Sequence, residues 1–195
     1  MLRTVVAGIA AIATAPVAAQ ADLTCPFRGA IEAVRARPSQ LDSLAFSLGG
    51  GQTHVKVCYG RPSARGRTMI GGEAVPFGRV WRTGANETTK IRTAVPVTIA
   101  GIAVPAGTYA IYTIPGEREW TVIVNRSWEQ WGHERNYTDD VRAQDVARAT
   151  VPVERMDQNV ETFTIRTDRA GEQSVTLVLE WEHTRIRIPV VRAGS

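Results

Sequence analysis

Arg61, Arg67, Arg82, Asn86 and Glu87 lie in one stretch of chain around Trp81, and Trp131 follows some way downstream. A guanidinium is a planar fork of donors that matches carboxylates and phosphates, and an indole face makes a stacking wall. These residue types point to a receptor for a small anionic or carbohydrate ligand. Arg61, Arg67 and Arg82 would hold the negative charge, Trp81 or Trp131 would form the wall, and Asn86 and Glu87 would be aimed inward by the Thr83-Gly84-Ala85 turn. Two other readings use the same residues. With Glu87 as acid or base beside the arginine cluster, the protein is an envelope hydrolase or lyase. With Arg82 and Glu87 as a buried ion pair and the tryptophans as core, the stretch is a scaffold and the protein structural or an assembly component, because a buried charge is costly without a partner. Binding without catalysis is the leading expectation.

Other chemistry finds little support. His54, His133 and His183 are far apart and match no H-E-x-x-H or cysteine-histidine spacing, so no metal site is expected. No cofactor motif occurs either, since Gly66-Arg67 to Gly71-Gly72 lacks the G-K-[ST] ending of a phosphate loop, and G-x-S-x-G is missing. Asp139-Asp140 falls in a polar loop and reads as solvated.

The elements that must position these residues follow from composition and period. With 195 residues, 44% of them hydrophobic and 22% charged, the chain is a folded globular protein rather than a disordered one. All but two of the 23 basic residues are arginine, the exceptions being Lys56 and Lys90, and they are scattered instead of clustered. No nucleic-acid partner is therefore expected. Arg3, an apolar run from Val5 to Val17 and Ala19-Gln20-Ala21 form a signal peptide over residues 1–21, which places the mature chain in the periplasm or outside the cell. No later run is long and apolar enough for a transmembrane helix. In such a compartment Cys25 and Cys58 are candidates for a disulfide, the alternative being a buried Cys58 and a free Cys25.

Residues 22–40 read as an N-terminal arm with a short helix, and residues 41–192 as one β-rich domain. Val55, Val57 and Tyr59 alternate with polar neighbours, as do Trp120, Val122 and Val124, and Gly, Pro and Asn punctuate the runs. This is the pattern of an antiparallel all-β fold, expected as a two-sheet sandwich or a jelly-roll-like barrel. Strands are expected at 149–154 and 160–167, a long loop at 128–145, and a turn at Gly49-Gly50-Gly51. The end of the chain reads as a hairpin turning at His183-Thr184, with Trp181 opposite Ile186 inside and Glu180 opposite Arg187 outside.

Tyr59-Gly60-Arg61-Pro62-Ser63, Val75-Pro76-Phe77-Gly78 and Val80-Trp81-Arg82-Thr83-Gly84-Ala85-Asn86-Glu87 resemble motifs of the bacterial domain-of-unknown-function 2911 family. Pro105-Ala106-Gly107-Thr108-Tyr109, Ile114-Pro115-Gly116 with Trp120, and Leu177-Val178-Leu179-Glu180-Trp181 extend the resemblance to about residues 42–190. It implies an exported bacterial protein with a β-rich domain and carries over no established activity. The arm and Cys25 lie outside it.

Overall fold

A computed structural model describes residues 24–131 and 134–194. The expected signal peptide and His133 lie outside the described residues. After a short helix α1 (Ile31–Arg35) come β1 (Gln40–Phe46), β2 (Val55–Arg61), β3 (Thr89–Thr93), β4 (Val97–Ile99), β5 (Ile102–Val104), β6 (Gly107–Ile114) and β7 (Glu119–Asn125). A 3-10 turn at Glu134–Asn136 and helix α2 (Asp139–Arg142) interrupt the long loop, and β8 (Asp145–Gly171) and β9 (Ser174–Arg192) complete the chain. All pairings between named strands are antiparallel, and the strands form one nine-stranded sheet in the order β1-β2-β3-β6-β7-β8-β9-β4-β5. The all-β expectation holds. The sheet is not closed into a barrel, and the division into two sheets is replaced by a single one.

The runs expected as separate strands at 149–154 and 160–167 are one strand, β8, which pairs with β7 up to Pro152 and with β9 from Val153 onward. The sheet bends enough for the end of β2 to meet β8. Phe163 N–H donates to Pro62 O at 2.9 Å, Ala64 N–H to Glu161 O at 2.9 Å, and Ile165 N–H to the Tyr59 hydroxyl at 3.0 Å. One face of this bent sheet carries the main core, in which Val55, Ile91, Val122, Leu179, Trp181 and Ile186 are all buried.

The hairpin at His183-Thr184 does not exist, because β9 runs straight through those residues. Trp181 and Ile186 are nevertheless both in the core, and the reason is a bulge. Glu182 has φ 52°, pairs with Val160 and shifts the register, so the inward positions change from odd numbers to even ones. Its carboxylate accepts the Met69 N–H at 3.0 Å and the Ile70 N–H at 2.7 Å, which supports a backbone conformation uncommon for a non-glycine residue. Glu180 is also not paired with Arg187. It accepts from Arg185 at 2.6 Å and Arg166 at 3.2 Å, while Arg187 bonds Glu154 and Asp168, each at 2.8 Å. These side chains form a chain of ion pairs on the face turned away from the core. The Arg187 side chain is 38% exposed, so Arg187→Ala is expected to cost less than about 1 kcal/mol in a urea melt. No helix among the described residues is long and apolar enough to cross a membrane.

Candidate functional site

The half of the sheet containing β2, β3, β6 and β7 has a second, outward face. Strand alternation places Cys58, Lys90, Ala110, Tyr112 and Ile123 there, and antiparallel pairing puts Cys58 beside Lys90, Lys90 beside Ala110, and Tyr112 beside Ile123. All five are buried, because two segments cover them. The first is the loop between β7 and β8. Asn125 Nδ2 donates to Val141 O at 2.7 Å, the Tyr137 ring stands edge-on to Tyr112 at 4.9 Å, and the Gln130 amide donates to the Tyr112 hydroxyl. The second is the N-terminal arm, joined to the sheet by a Cys25–Cys58 disulfide with a Cα–Cα separation of 5.7 Å.

The Trp81–Glu87 loop forms the rim. It lies backbone to backbone on β2: Ala85 N–H donates to Gly60 O at 3.2 Å, and a Cβ at Gly60 would stand 2.1 Å from Ala85 O. Only glycine allows that approach. Reciprocal bonds of 2.7 and 2.9 Å join Trp81 to Thr113, and Thr89 Oγ1 donates to Thr83 O at 2.6 Å. Thr83 and Asn86 are held at φ 57° and 65°, local strain of the kind that concentrates at binding loops.

These supports bring Glu87 and Lys90 under the arm. Glu87 Oε1 accepts the Arg28 N–H at 2.9 Å, and Oε2 accepts Arg37 Nη1 at 2.7 Å. Burial pushes the Glu87 carboxyl up, but the Arg28 and Arg37 bonds outweigh it and hold the group below the ordinary carboxylate value. Lys90 Nζ donates to Pro26 O at 3.0 Å and sits 5.8 Å from the Trp128 ring centre. Burial of its ammonium pulls its pKa down, and the nearby Glu87 charge only partly compensates. The Arg37 guanidinium lies 5.5 Å from the Trp131 ring, a cation–π contact.

Of the seven candidate ligand-binding residues, Asn86, Glu87 and Trp131 meet around the arm, with Asn86 Nδ2 donating to Ser39 O at 3.1 Å. Arg82 belongs to the same rim but is not paired with Glu87. Its Nε lies 3.2 Å from Glu134 Oε1 and its Nη1 donates to Asn86 O at 3.2 Å. Trp81 faces the core, stacked on Trp181 at 5.7 Å. Arg61 and Arg67 do not join Arg82 in an anion fork. Arg61 bonds Phe163 O and Thr164 and pairs with Asp42, and Arg67 bonds Ala64 O and Ser63 O, so these donors pin strand and loop. The residues to which the sequence reading assigns no role at the site are Lys90, Trp128, Tyr112 and the arm's Arg28 and Arg37. Lys90 carried a signal, being one of two lysines and standing on a strand three residues after Glu87.

A family model described as a protein of unknown function (DUF2911) matches residues 39–190. The chain belongs to the DUF2911 family. No curated protein and no solved structure matches it. The family match draws a line through the site. Glu87, Lys90, Tyr112, Trp128 and Trp131 fall inside the DUF2911 domain, whereas Cys25, Pro26, Arg28 and Arg37, which cover them, precede it.

Concavities on the surface differ in their relation to this region. One of about 300 Å³ reaches the rim and is lined by Glu73, Arg79, Trp81 and Glu134. Another, of about 360 Å³, lies among Phe77, Glu117, Arg155 and His183 and shares no residue with the arm-covered face. Among the described residues no cluster of His, Cys, Asp and Glu is arranged to hold a metal ion.

Proposed function

We propose that this DUF2911 protein is an exported binding module and that its site is the outward face around Glu87 and Lys90. The observation that carries the reading is the burial of opposite charges beneath a covering segment. Glu87 and Lys90 are 5% and 4% exposed, and they sit on a β-rich domain that already has a large apolar core. Folding alone selects against such burial, so charge held there favours a role in recognition.

The ligand class follows from the groups on offer. Glu87 takes donors, Lys90 gives to acceptors, and Trp128 and Trp131 supply walls, which suits a polar ligand with adjacent donor and acceptor, such as an amide or a sugar. A bare anion fits less well, since the Arg61 and Arg67 guanidinia are used on carbonyls. The ionised Glu87, with both oxygens accepting bonds, acts as a charge receptor rather than a proton donor, which favours binding over hydrolase or lyase chemistry.

A thermal-shift panel of monosaccharides, amino acids, dipeptides, guanidines and phosphate on Cys25→Ser/Cys58→Ser protein tests this reading. A rise in Tm with a ligand carrying both donor and acceptor, lost on Lys90→Met, is expected. A response to phosphate alone, or to nothing, overturns it. Export is supported by the signal-like start and by the disulfide, which suits an oxidising compartment. Intact mass of envelope-fraction protein is expected to begin at Asp22, and an uncleaved cytosolic chain contradicts that.

A further inference from the structure

The arm shows how the site reads a ligand. It precedes the DUF2911 match, yet it lies across the outward face and meets the buried charges largely through main-chain atoms. Pro26 O faces the Lys90 ammonium, and two residues on, Arg28 N–H faces the Glu87 carboxylate. An acceptor and then a donor at that spacing is what any extended peptide presents, whatever its side chains. Side chains add selection at two places. The Arg28 guanidinium donates through Nε, at 2.8 Å, and through Nη2 to Glu129 O. The Arg37 guanidinium spans Glu87 Oε2, the Trp131 face and Arg28 O, the last at 2.6 Å. A carbonyl and a carboxylate beside an indole suit a planar cation, and arginine fills both positions.

From this we infer that the outward face is a receptor for an extended, arginine-bearing peptide, and that the chain's own arm occupies it in cis. The inference rests on the reading of the Glu87–Lys90 face as a binding site and specifies its ligand. The disulfide explains why the cis occupant holds the position. Cys58 is the strand neighbour of Lys90, so the Cys25–Cys58 bond fixes the arm one residue before Pro26 reaches that lysine. A segment tied at both ends is present at a high effective concentration, and a peptide in solution must compete with it. With the bond absent and the arm's guanidinia removed, that competition weakens.

The probe is a fluorescein-labelled peptide of sequence Thr-Ser-Pro-Phe-Arg-Gly, which copies residues 24–29 with serine for cysteine. The host is the full chain carrying Cys25→Ser, Cys58→Ser, Arg28→Ala and Arg37→Ala, and binding is read by fluorescence anisotropy. Saturable binding is expected, weakened about tenfold or more when alanine replaces the peptide's arginine or when Glu87→Gln is added to the host. The disulfide-bonded wild type is expected to bind at least about tenfold more weakly than the opened host. Equal binding by the two, or indifference to the peptide's arginine, overturns the inference.

The small-ligand panel run on the same opened host separates the two proposals. A stabilising sugar with no peptide binding leaves the site standing and removes the peptide, whereas no response to either removes both. Should the fourfold variant fail to fold, hydrogen exchange on Cys25→Ser/Cys58→Ser protein serves instead. Exchange at residues 26–37 is expected to speed up as peptide displaces the arm, and unchanged protection under excess peptide overturns the inference.

Discussion

Trp181→Ala is expected to lower the free energy of unfolding by about 3–5 kcal/mol, read as a fall in the urea midpoint. The indole is 2% exposed and is the largest of the fully buried side chains. It stacks on Trp81 at 5.7 Å with 19° between planes, meets Phe163 at 5.8 Å, and donates through Nε1 to Glu161 O at 3.1 Å. Truncation removes these contacts and opens a cavity among rigid aromatic neighbours, while Glu161 O keeps the Ala64 N–H as its donor. The effect reaches the site as well, because Trp81 begins the loop that carries Arg82, Asn86 and Glu87. A loss below about 1 kcal/mol would mean that the aromatic cluster does not hold that loop in place.

The second large effect belongs to Glu87. Glu87→Gln keeps the shape but leaves the Arg37 guanidinium, whose side chain is 14% exposed, without its carboxylate, and the expected cost is about 3 kcal/mol. Arg37 belongs to the arm, so the loss is one of arm docking. A double-mutant cycle of Glu87→Gln with Arg37→Met is expected to be non-additive, the double variant recovering part of the sum.

The pH dependence has a definite sign. The folded carboxyl is held below its ordinary value, so its contribution is fully present above the unfolded glutamate pKa and is lost as pH falls through the lowered folded value. The gap between wild type and Glu87→Gln is therefore constant from neutrality down to about pH 5 and closes in more acid solution. A gap that widens in acid, or additive single changes, contradicts the pairing.

Much of the fold was legible because alternation is a direct imprint of a half-buried strand. Val55, Val57 and Tyr59 face the core as their spacing requires, as do Trp120, Val122 and Val124, and Gly49-Gly50-Gly51 lies between paired strands. The end of the chain misled for a physical reason. The inward position moves from Trp181 to Ile186, an odd step, and either a tight turn or a bulge produces that change of parity. Only the backbone at Glu182 distinguishes them.

The site was legible in part. The Trp81–Glu87 loop stands out by composition, but the ion pair that its local sequence offers as one reading is Glu87 with Arg82, whereas the partner of Glu87 in the structure, Arg37, lies fifty positions away. Such pairings arise when the sheet brings distant segments together, and no local pattern encodes them. Lys90 went unread because its meaning depends on what covers it.

Lys90→Met tests most directly whether the outward face is built for a ligand or for the fold. The ammonium is 4% exposed, and burial lowers its pKa. A lysine whose folded pKa is lowered binds its proton less well in the folded state than in the unfolded one, so the charged form opposes folding at neutral pH and the penalty fades as pH rises toward the ordinary lysine value. Methionine fills similar space without the charge. The decisive measurement is thermal unfolding of Lys90→Met at neutral pH, in the Cys25→Ser/Cys58→Ser background, with and without the ligand that stabilises the parent. The account expects a midpoint equal to or above the parent's and a ligand response that disappears. A midpoint several degrees lower with the ligand response intact would contradict it and make Lys90 a structural residue.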